Sequence, residues 1–548
     1  MSSNAQAAIP ALESAPGILA KERTIAGPAF NRWLAPVSAL CIHLCIGMAY
    51  GFSVFWLPMS KLLAGADATA CANLGFMAAL TTTTCNWTVP QVTHIFETFI
   101  AVLGISAAIW GGWLEHVGPR KAGFFAALCW GGGLVVCGLG VSAHLLWIVY
   151  VGAVLGGIGQ GIGYITPVST LIKWFPDRRG MATGFAIMGY GGGAMVGAPL
   201  AVALMKHFND SGAQGVAPTL IAMGVLYFIV MSIGAFSFRV VPNGWRPAGW
   251  TPPANAQAQS MITRGHVHLN VASKTPQFWL LWAVLCLNVT AGIAVLAMAS
   301  PMFQDVFGAK LVGGDAATAS AAQKAAIVAA AAGLVGLISL FNSAGRLFWA
   351  SLSDKIGRKT TYIVFFVLGI ALYCALPTLG HLGLAGLFVI AVCVILSMYG
   401  GGFSTIPAYL ADLFGTQMVG AIHGRLLTAW SAAGIIGPMV IAAIRQAQLD
   451  AGVAKNLVYD RTLYIMAGLL LCGLICNLLI RPVSPSKFMS EDELAREKQL
   501  QKEHVIGANA ETAARGAFGP MQMLAWAGVG IPFLIGVWIA LSKAAALF

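Results

Sequence analysis

Charge is scarce in this chain. Aspartate, glutamate, lysine and arginine make up 9% of 548 residues, where a soluble globular chain carries roughly 25%, and 58% of the residues are hydrophobic. That shortage excludes a water-soluble enzyme, a disordered scaffold and a secreted disulfide domain. A formal charge of +12 would suggest nucleic acid as a partner in a soluble chain. Here the basic residues sit in short loops between apolar blocks, so they read as topology signals and no nucleic acid is expected. The first 33 residues have no short apolar core ahead of a small-residue cleavage site, so they are expected to be a polar tail.

Paired histidines are missing too. None of the ten histidines belongs to a His-Glu-x-x-His arrangement, which leaves a membrane enzyme without metal ligands or a base at depth. No cofactor or metal is expected. The run Gly189-x-Gly191-x-x-Ala194 satisfies a dinucleotide fingerprint on paper. It lies inside an apolar block with no preceding strand and reads as close packing between helices. Nine of the eleven cysteines fall within apolar blocks, as small packing residues. Cys71 and Cys85 share a loop, and a bridge between them depends on that loop facing an oxidising compartment.

What the chain does have is apolar blocks of about 20 residues, the thickness of a bilayer core. Twelve fall near 34–57, 95–114, 122–142, 145–168, 181–205, 217–238, 277–299, 325–352, 361–380, 383–406, 419–444 and 459–481. They divide the chain into a tail (1–33), a six-helix half (34–238), a polar central loop (239–275) and a second six-helix half (276–482). A charged segment (483–520) and a thirteenth apolar block (521–543) follow. That block contains Pro532, and the sequence leaves open whether it spans the bilayer or lies along its surface. With a cytoplasmic amino terminus, the inner segments hold 22 lysines and arginines and the outer ones 7. That bias orients the body with both ends inside the cell membrane.

The halves look like copies. Glu115-x-x-Gly118 answers Asp354-x-x-Gly357, Pro167 answers Pro407, and Gly197-x-Pro199 answers Gly437-Pro438, all at offsets of 239 or 240 residues. A parallel repeat of this kind places a binding site between the halves.

The loops Gly111-Gly-Trp-Leu-Glu115-His116-Val-Gly118-Pro119-Arg120-Lys121 and Ser353-Asp354-Lys-Ile-Gly357-Arg358-Lys359 resemble the cytoplasmic signature of the major facilitator superfamily. The first copy departs from that pattern at His116 and Pro119. The resemblance implies a twelve-helix all-α membrane fold of two six-helix halves, to which this chain adds a C-terminal helix. It also implies a gate in which Glu115, Arg120, Lys121, Asp354, Arg358 and Lys359 hold helix ends together; a carboxylate near a helix terminus facing cations makes a breakable latch. The alternative is a solvated charged turn that only sets topology.

More specific runs are Gly161-Ile-Gly-Tyr164-Ile-Thr-Pro167, Met188-Gly-Tyr-Gly-Gly-Gly193, Asn342-Ser-Ala-Gly-Arg346, Ser397-Met-Tyr399-Gly-Gly-Gly-Phe403 and Ala429-Trp430-Ser-Ala-Ala-Gly434. They resemble the oxalate/formate antiporter family, related to monocarboxylate transporters, over roughly residues 34 to 485. A small carboxylate would then be the substrate and the lipid bilayer the other partner, with a monomer as the working unit.

Arg346 stands out without any family. All nineteen acidic residues lie in loops, tails or near block ends, whereas Arg346 lies inside the eighth block. An isolated intramembrane arginine costs at least about 3 kcal/mol at the bilayer centre and is a functional candidate by default. It sits eight residues past the block's midpoint near Ile338, about 12 Å along a helix. Side chains lean toward a helix amino terminus, which brings the guanidinium back toward mid-membrane. Asn342, one turn earlier, shares that face and can donate an amide hydrogen bond to the same ligand oxygen. The competing role for Arg346 is in the cytoplasmic latch.

The resemblance gives the eighth-helix arginine a substrate carboxylate and, in the oxalate antiporter, adds a lysine in the eleventh helix. The eleventh block here has no lysine and carries Trp430 near that place. One cation favours a monocarboxylate such as formate, lactate or a related 2-hydroxy or 2-oxo acid. A dicarboxylate exchanged for formate, or drug efflux, are the alternatives. By resemblance Tyr50, Tyr164, Tyr399, Phe403 and Trp430 complete the cage, each with packing as its alternative. His43 lies midway along the first block and is either a proton site or a hydrogen-bonded core histidine.

Overall fold

The computed structural model describes residues 16–27, 29–63, 71, 75–209, 215–251, 261–314, 319–501 and 519–545. Among them thirteen helices are long and apolar enough to cross a membrane. They are α1 (Leu34–Met59), α2 (Val89–Val117), α3 (Pro119–Ser142), α4 (Leu146–Trp174), α5 (Arg179–His207), α6 (Val216–Ser237), α7 (Pro276–Val312), α8 (Ala321–Ile356), α9 (Arg358–His381), α10 (Ala385–Phe414), α11 (Val419–Asp450), α12 (Asp460–Leu479) and α13 (Pro520–Ala544).

Local chemistry sets several of these bounds. Thr88 and Ser320 cap α2 and α8 through boxes with Gln91 and Gln323, and Thr275 caps α7. The glycines of the repeated loop separate α2 from α3 and α8 from α9. Gly118 and Gly357 have φ of 83° and 87°, a region where a side chain is strained.

Within the first half α3 packs on α4 and α6, and within the second α9 packs on α12. The halves meet along two seams, α5 against α8 and α2 against α11. Small side chains let the backbones approach there. A Cβ at Gly111 would fall 2.8 Å from Ala421 Cα, and one at Gly184 2.9 Å from the Arg346 carbonyl oxygen. Hydroxyls stitch the seams as well. Ser431 donates to the Ile100 carbonyl (2.6 Å), and Thr183 donates to that of Ser404 (2.7 Å).

Several elements depart from the sequence pattern. The span α1 is not one regular helix, since a 3-10 stretch from Gly47 to Phe55 interrupts it. A side chain at Gly47 or Gly193 would collide with the facing backbone of α5 or α1. The span α11 breaks at Leu427. Both α7 and α8 run longer than their apolar blocks, to 37 and 36 residues. Part of the tail packs on the bundle: Lys21 and Thr24 are buried, Lys21 donates to the Glu115 carbonyl (2.8 Å), and Ile25 bridges Val240.

Beyond α12 a short helix, Glu491–Leu500, lies at the same end of the bundle. Its Glu497 pairs with His116 at 3.1 Å, and Gln501 accepts from Gln417. The thirteenth apolar block is a 25-residue helix packed on α1, α5 and α8. Cys71 and Cys85 are disulfide-bonded, with their Cα atoms 5.7 Å apart.

Candidate anion site and gate

Arg346 is wholly buried on α8 at the α5 seam. Its Nε donates to Asn342 Oδ1 (3.3 Å) and its Nη1 to the Ile187 carbonyl of α5 (3.2 Å). Nη2 is buried and completes no hydrogen bond, and Arg346 forms no ion pair among the described residues. Gly191 makes room for it, since a Cβ there would lie 2.8 Å from Nε. The guanidinium carbon stands 5.3 Å from the Phe403 ring centroid and 5.9 Å from that of Tyr190.

The aromatic residues named from sequence come together around it. Tyr164 packs on Trp430 (5.3 Å between centroids), Phe403 on Trp430 (4.8 Å) and Tyr399 on Phe403 (5.3 Å). The Tyr50 and Tyr399 hydroxyls are 3.2 Å apart, linking the two halves. Tyr164, Tyr399, Phe403 and Trp430 are buried, and Tyr50 is half-buried. The hydroxyls of Tyr50 and Tyr164 face the guanidinium. Tyr164 Oη, Tyr190 Oη and Trp430 Nε1 are buried without a hydrogen-bond partner. Donors left unsatisfied in an apolar shell cost about 1–3 kcal/mol each, so a cage of them beside a half-satisfied cation has the chemistry to receive acceptors.

Tyr190 joins the cage although no sequence motif singles it out. It is fully buried and packs on Tyr50, Tyr164 and Trp430 at 5.2–5.3 Å. Its glycine neighbours mark it as packing, yet the repeat points to it. Tyr190 and Trp430 are 240 residues apart and Tyr164 and Phe403 are 239 apart, so the cage follows the pseudo-twofold relation of the halves. His43 lies behind the Tyr164 ring, stacked at 5.2 Å. One of its ring nitrogens meets the Ala186 carbonyl and the other the Tyr164 carbonyl.

At the end of the bundle carrying the repeated loops, each acid caps a helix of the other half. Glu115 Oε1 accepts from Gly420 N of α11 (2.9 Å) and from Ser169, and its Oε2 pairs with Lys173 at 2.7 Å. Asp354 accepts from Gly180 N and Met181 N of α5 (2.8 and 2.9 Å) and pairs with Arg358 at 2.6 Å. Helix amino termini carry orphan N–H groups and partial positive charge, so a carboxylate from the opposite half meets a favourable site at each seam.

Two further members of this network are Asp412 and Arg179. Asp412 pairs with Arg179 across the halves (3.0 Å) and with Arg358 (3.1 Å). The remaining basic residues do not reach the acids. Arg120 donates to the Ile18 and Phe236 carbonyls, Lys359 to those of Leu478 and Ile480, and Lys121 is exposed. Arg120 and Lys359, at the starts of α3 and α9, bond to main-chain carbonyls and not to the acids of the repeated loops, a direction that adjacency to the acid does not reveal.

Comparison with known proteins agrees with this architecture. The oxalate:formate antiporter of Oxalobacter formigenes is 27% identical over 424 residues, 76% of this chain and 85% of that one. Apicoplast pyruvate carrier 1 of Toxoplasma gondii is 24% identical, covering 72% and 80%. The crystal structure of the human organic anion transporter MFSD10 (TETRAN) superposes with a TM-score of 0.54 at 14% identity, over 81% of this chain and 99% of that one. The profile of the Major Facilitator Superfamily matches residues 39–438. With that match over most of the chain, and with its two six-helix halves, the chain belongs to the Major Facilitator Superfamily of secondary transporters.

Proposed function

We propose that the protein carries small monocarboxylates such as formate, lactate or a related 2-hydroxy or 2-oxo acid, by alternating access around Arg346. The observation that carries this reading is a fully buried guanidinium with a free Nη2, no protein counter-ion among the described residues, and aromatic donors around it. A carboxylate on Nη2 would pair the charge and accept from the tyrosine hydroxyls and the Trp430 indole, and the short carbon chain of lactate or a 2-oxo acid would lie against the rings. Asn342 holds the guanidinium through its Nε. The names of the relatives that match, an oxalate:formate antiporter and a pyruvate carrier, fit this class.

A dicarboxylate would call for a second cation, and the two arginines of α11 are occupied elsewhere. Arg425 donates to Leu269, Asn270 and Ser273, and Arg445 pairs with Asp305 at 2.8 Å. The bias of basic residues among the loops supports a reading in which the basic end faces the cytoplasm and the protein lies in a cell membrane. The conformer then has its inner gate shut by Glu115, Asp354 and Asp412. An empty cage leaves Arg346 unpaired and costly to occlude, while a bound anion removes that cost, so loaded carriers reorient more readily and exchange is favoured.

Proton coupling through His43 is the second reading. Both its ring nitrogens face carbonyl oxygens; a neutral ring donates to one, and a protonated ring donates to both. Thermal stabilisation of the purified protein by a panel of mono- and dicarboxylates, repeated with Arg346→Gln, tests the site. Stabilisation by monocarboxylates that is lost in the variant is expected, and stabilisation that survives removes Arg346 from the site. Counterflow in proteoliposomes separates the modes. Net uptake as fast as exchange, without a proton gradient, defeats exchange; acceleration by an inward proton gradient that His43→Gln abolishes favours symport.

A further inference from the structure

The helix α13 lies beyond residues 39–438, the part that matches the superfamily profile, and it packs on both halves at their seam. Near its start Trp526 packs on Phe185 of α5, and Val529 on Val37 and Leu40 of α1, all in the first half. Toward its end Ala540 backs onto Gly336 of α8, in the second half. Between these contacts Phe533 enters a notch on the seam. A Cβ at Gly192 of α5 would collide with the Phe533 ring and lie 3.3 Å from Ser343 Oγ of α8. Ser343 itself donates to the Met188 carbonyl of α5 (3.1 Å).

The notch backs directly onto the anion site. Gly191, the next residue, faces Arg346 Nε, and Ile187, about one turn earlier on α5, accepts from Arg346 Nη1. The spacing of α5 and α8 at this level therefore decides whether the guanidinium reaches α5, and the Phe533 ring occupies the lipid side of that spacing. Most of α13 faces outward; Leu534 and Trp538 are 64% and 71% exposed.

We propose that α13 is a brace across the α5–α8 seam and that Phe533 is a positioning residue of the anion site. It closes the seam against lipid and fixes the separation at which Arg346 is held ready for a carboxylate. This rests on the monocarboxylate reading above.

The test is transport by the full-length chain in proteoliposomes with formate, lactate and pyruvate, alongside stabilisation of the purified protein by the same acids. Phe533→Ala is expected to raise KM by about threefold or more, with a smaller effect on kcat, and to weaken stabilisation by the acids. Gly192→Ala should do the same by expelling the ring. In the double variant the two effects should not multiply, because both remove one contact. Phe533→Leu, which keeps an apolar wedge, should recover most of the affinity, and the lipid-facing Trp538→Ala should leave KM unchanged. Unchanged KM in both Phe533→Ala and Gly192→Ala, or effects that multiply in the double variant, overturns the brace. Arg346→Gln in the same series separates the two ideas. If it abolishes stabilisation by the acids while Phe533→Ala is silent, only the brace falls; if stabilisation persists in Arg346→Gln, the anion site itself falls.

Discussion

Replacing Asp354 by asparagine tests the gate at its most accessible point. The carboxylate accepts the Gly180 and Met181 amides of α5 and pairs with Arg358. Asparagine keeps one carbonyl oxygen for one amide, turns its NH2 toward the other, and removes the charge facing the helix terminus. Charge-assisted hydrogen bonds contribute about 1.5–3 kcal/mol each, and a carboxylate at a partly buried helix terminus up to about 2. Arg358 retains Asp412, so the net loss is taken as about 2 kcal/mol, roughly a thirtyfold shift toward the open gate.

Hydrogen exchange read by mass spectrometry gives the answer locally. The segment around Gly180 and Met181 should exchange faster by about that factor in Asp354→Asn, while the α12 amides, away from both seams, keep their rates. Glu115→Gln should mirror this at the other seam, releasing the Gly420 amide. Unchanged exchange at Gly180 and Met181, or equal acceleration in α12, would refute the view of these acids as caps acting across the halves.

Three other outcomes follow from the same geometry. Trp430→Ala should raise KM for formate and admit longer-chain acids, since it empties a fully buried indole from the cage and costs about 3–5 kcal/mol of packing; competition of labelled formate by acids of increasing length reads this. His423 is buried on α11 with neither ring nitrogen hydrogen-bonded. His423→Leu should therefore raise the melting temperature, reflecting up to about 1–3 kcal/mol of relieved desolvation. Cys85→Ser opens a disulfide loop with a separation of 14 residues, for which the chain-entropy estimate is about 3 kcal/mol. It should lower the melting temperature under oxidising conditions with KM unchanged, and reductant should abolish the difference.

Much of the architecture was legible because a bilayer imposes a length on every span and a charge bias on every loop. The repeat was legible for a related reason: two halves built alike keep the same prolines and glycines at matching depths. Arg346 stands out because the apolar block around it, 325–352, holds no acid, a property of the sequence alone. The cage was legible only in part. Tyr190 hides among glycines whose packing role is real, and its partnership with Trp430 shows only once the halves are overlaid.

The gate was harder. Glu115 and Asp354 are marked by their loops, but their real partners, Gly420, Gly180 and Met181, are main-chain amides of the opposite half, which no side-chain pattern advertises. Asp412 and Lys173 look like ordinary end-of-span charges until tertiary contacts pair them. The break in α1 begins at Gly47, where its backbone meets α5 at Tyr190 and Gly193, a tertiary contact that no local pattern reveals. The seat of α13 was not legible, because an apolar helix with one face on protein and the rest toward lipid has no polar stripe to reveal its contact side.

The most direct measurement is a structure of the protein determined with lactate or formate present. A carboxylate oxygen about 2.8 Å from Arg346 Nη2, with its partner oxygen toward the Tyr164, Tyr190 or Trp430 donors, is the expected result. A guanidinium salt-bridged to a protein carboxylate, with the acid bound elsewhere, would contradict the account.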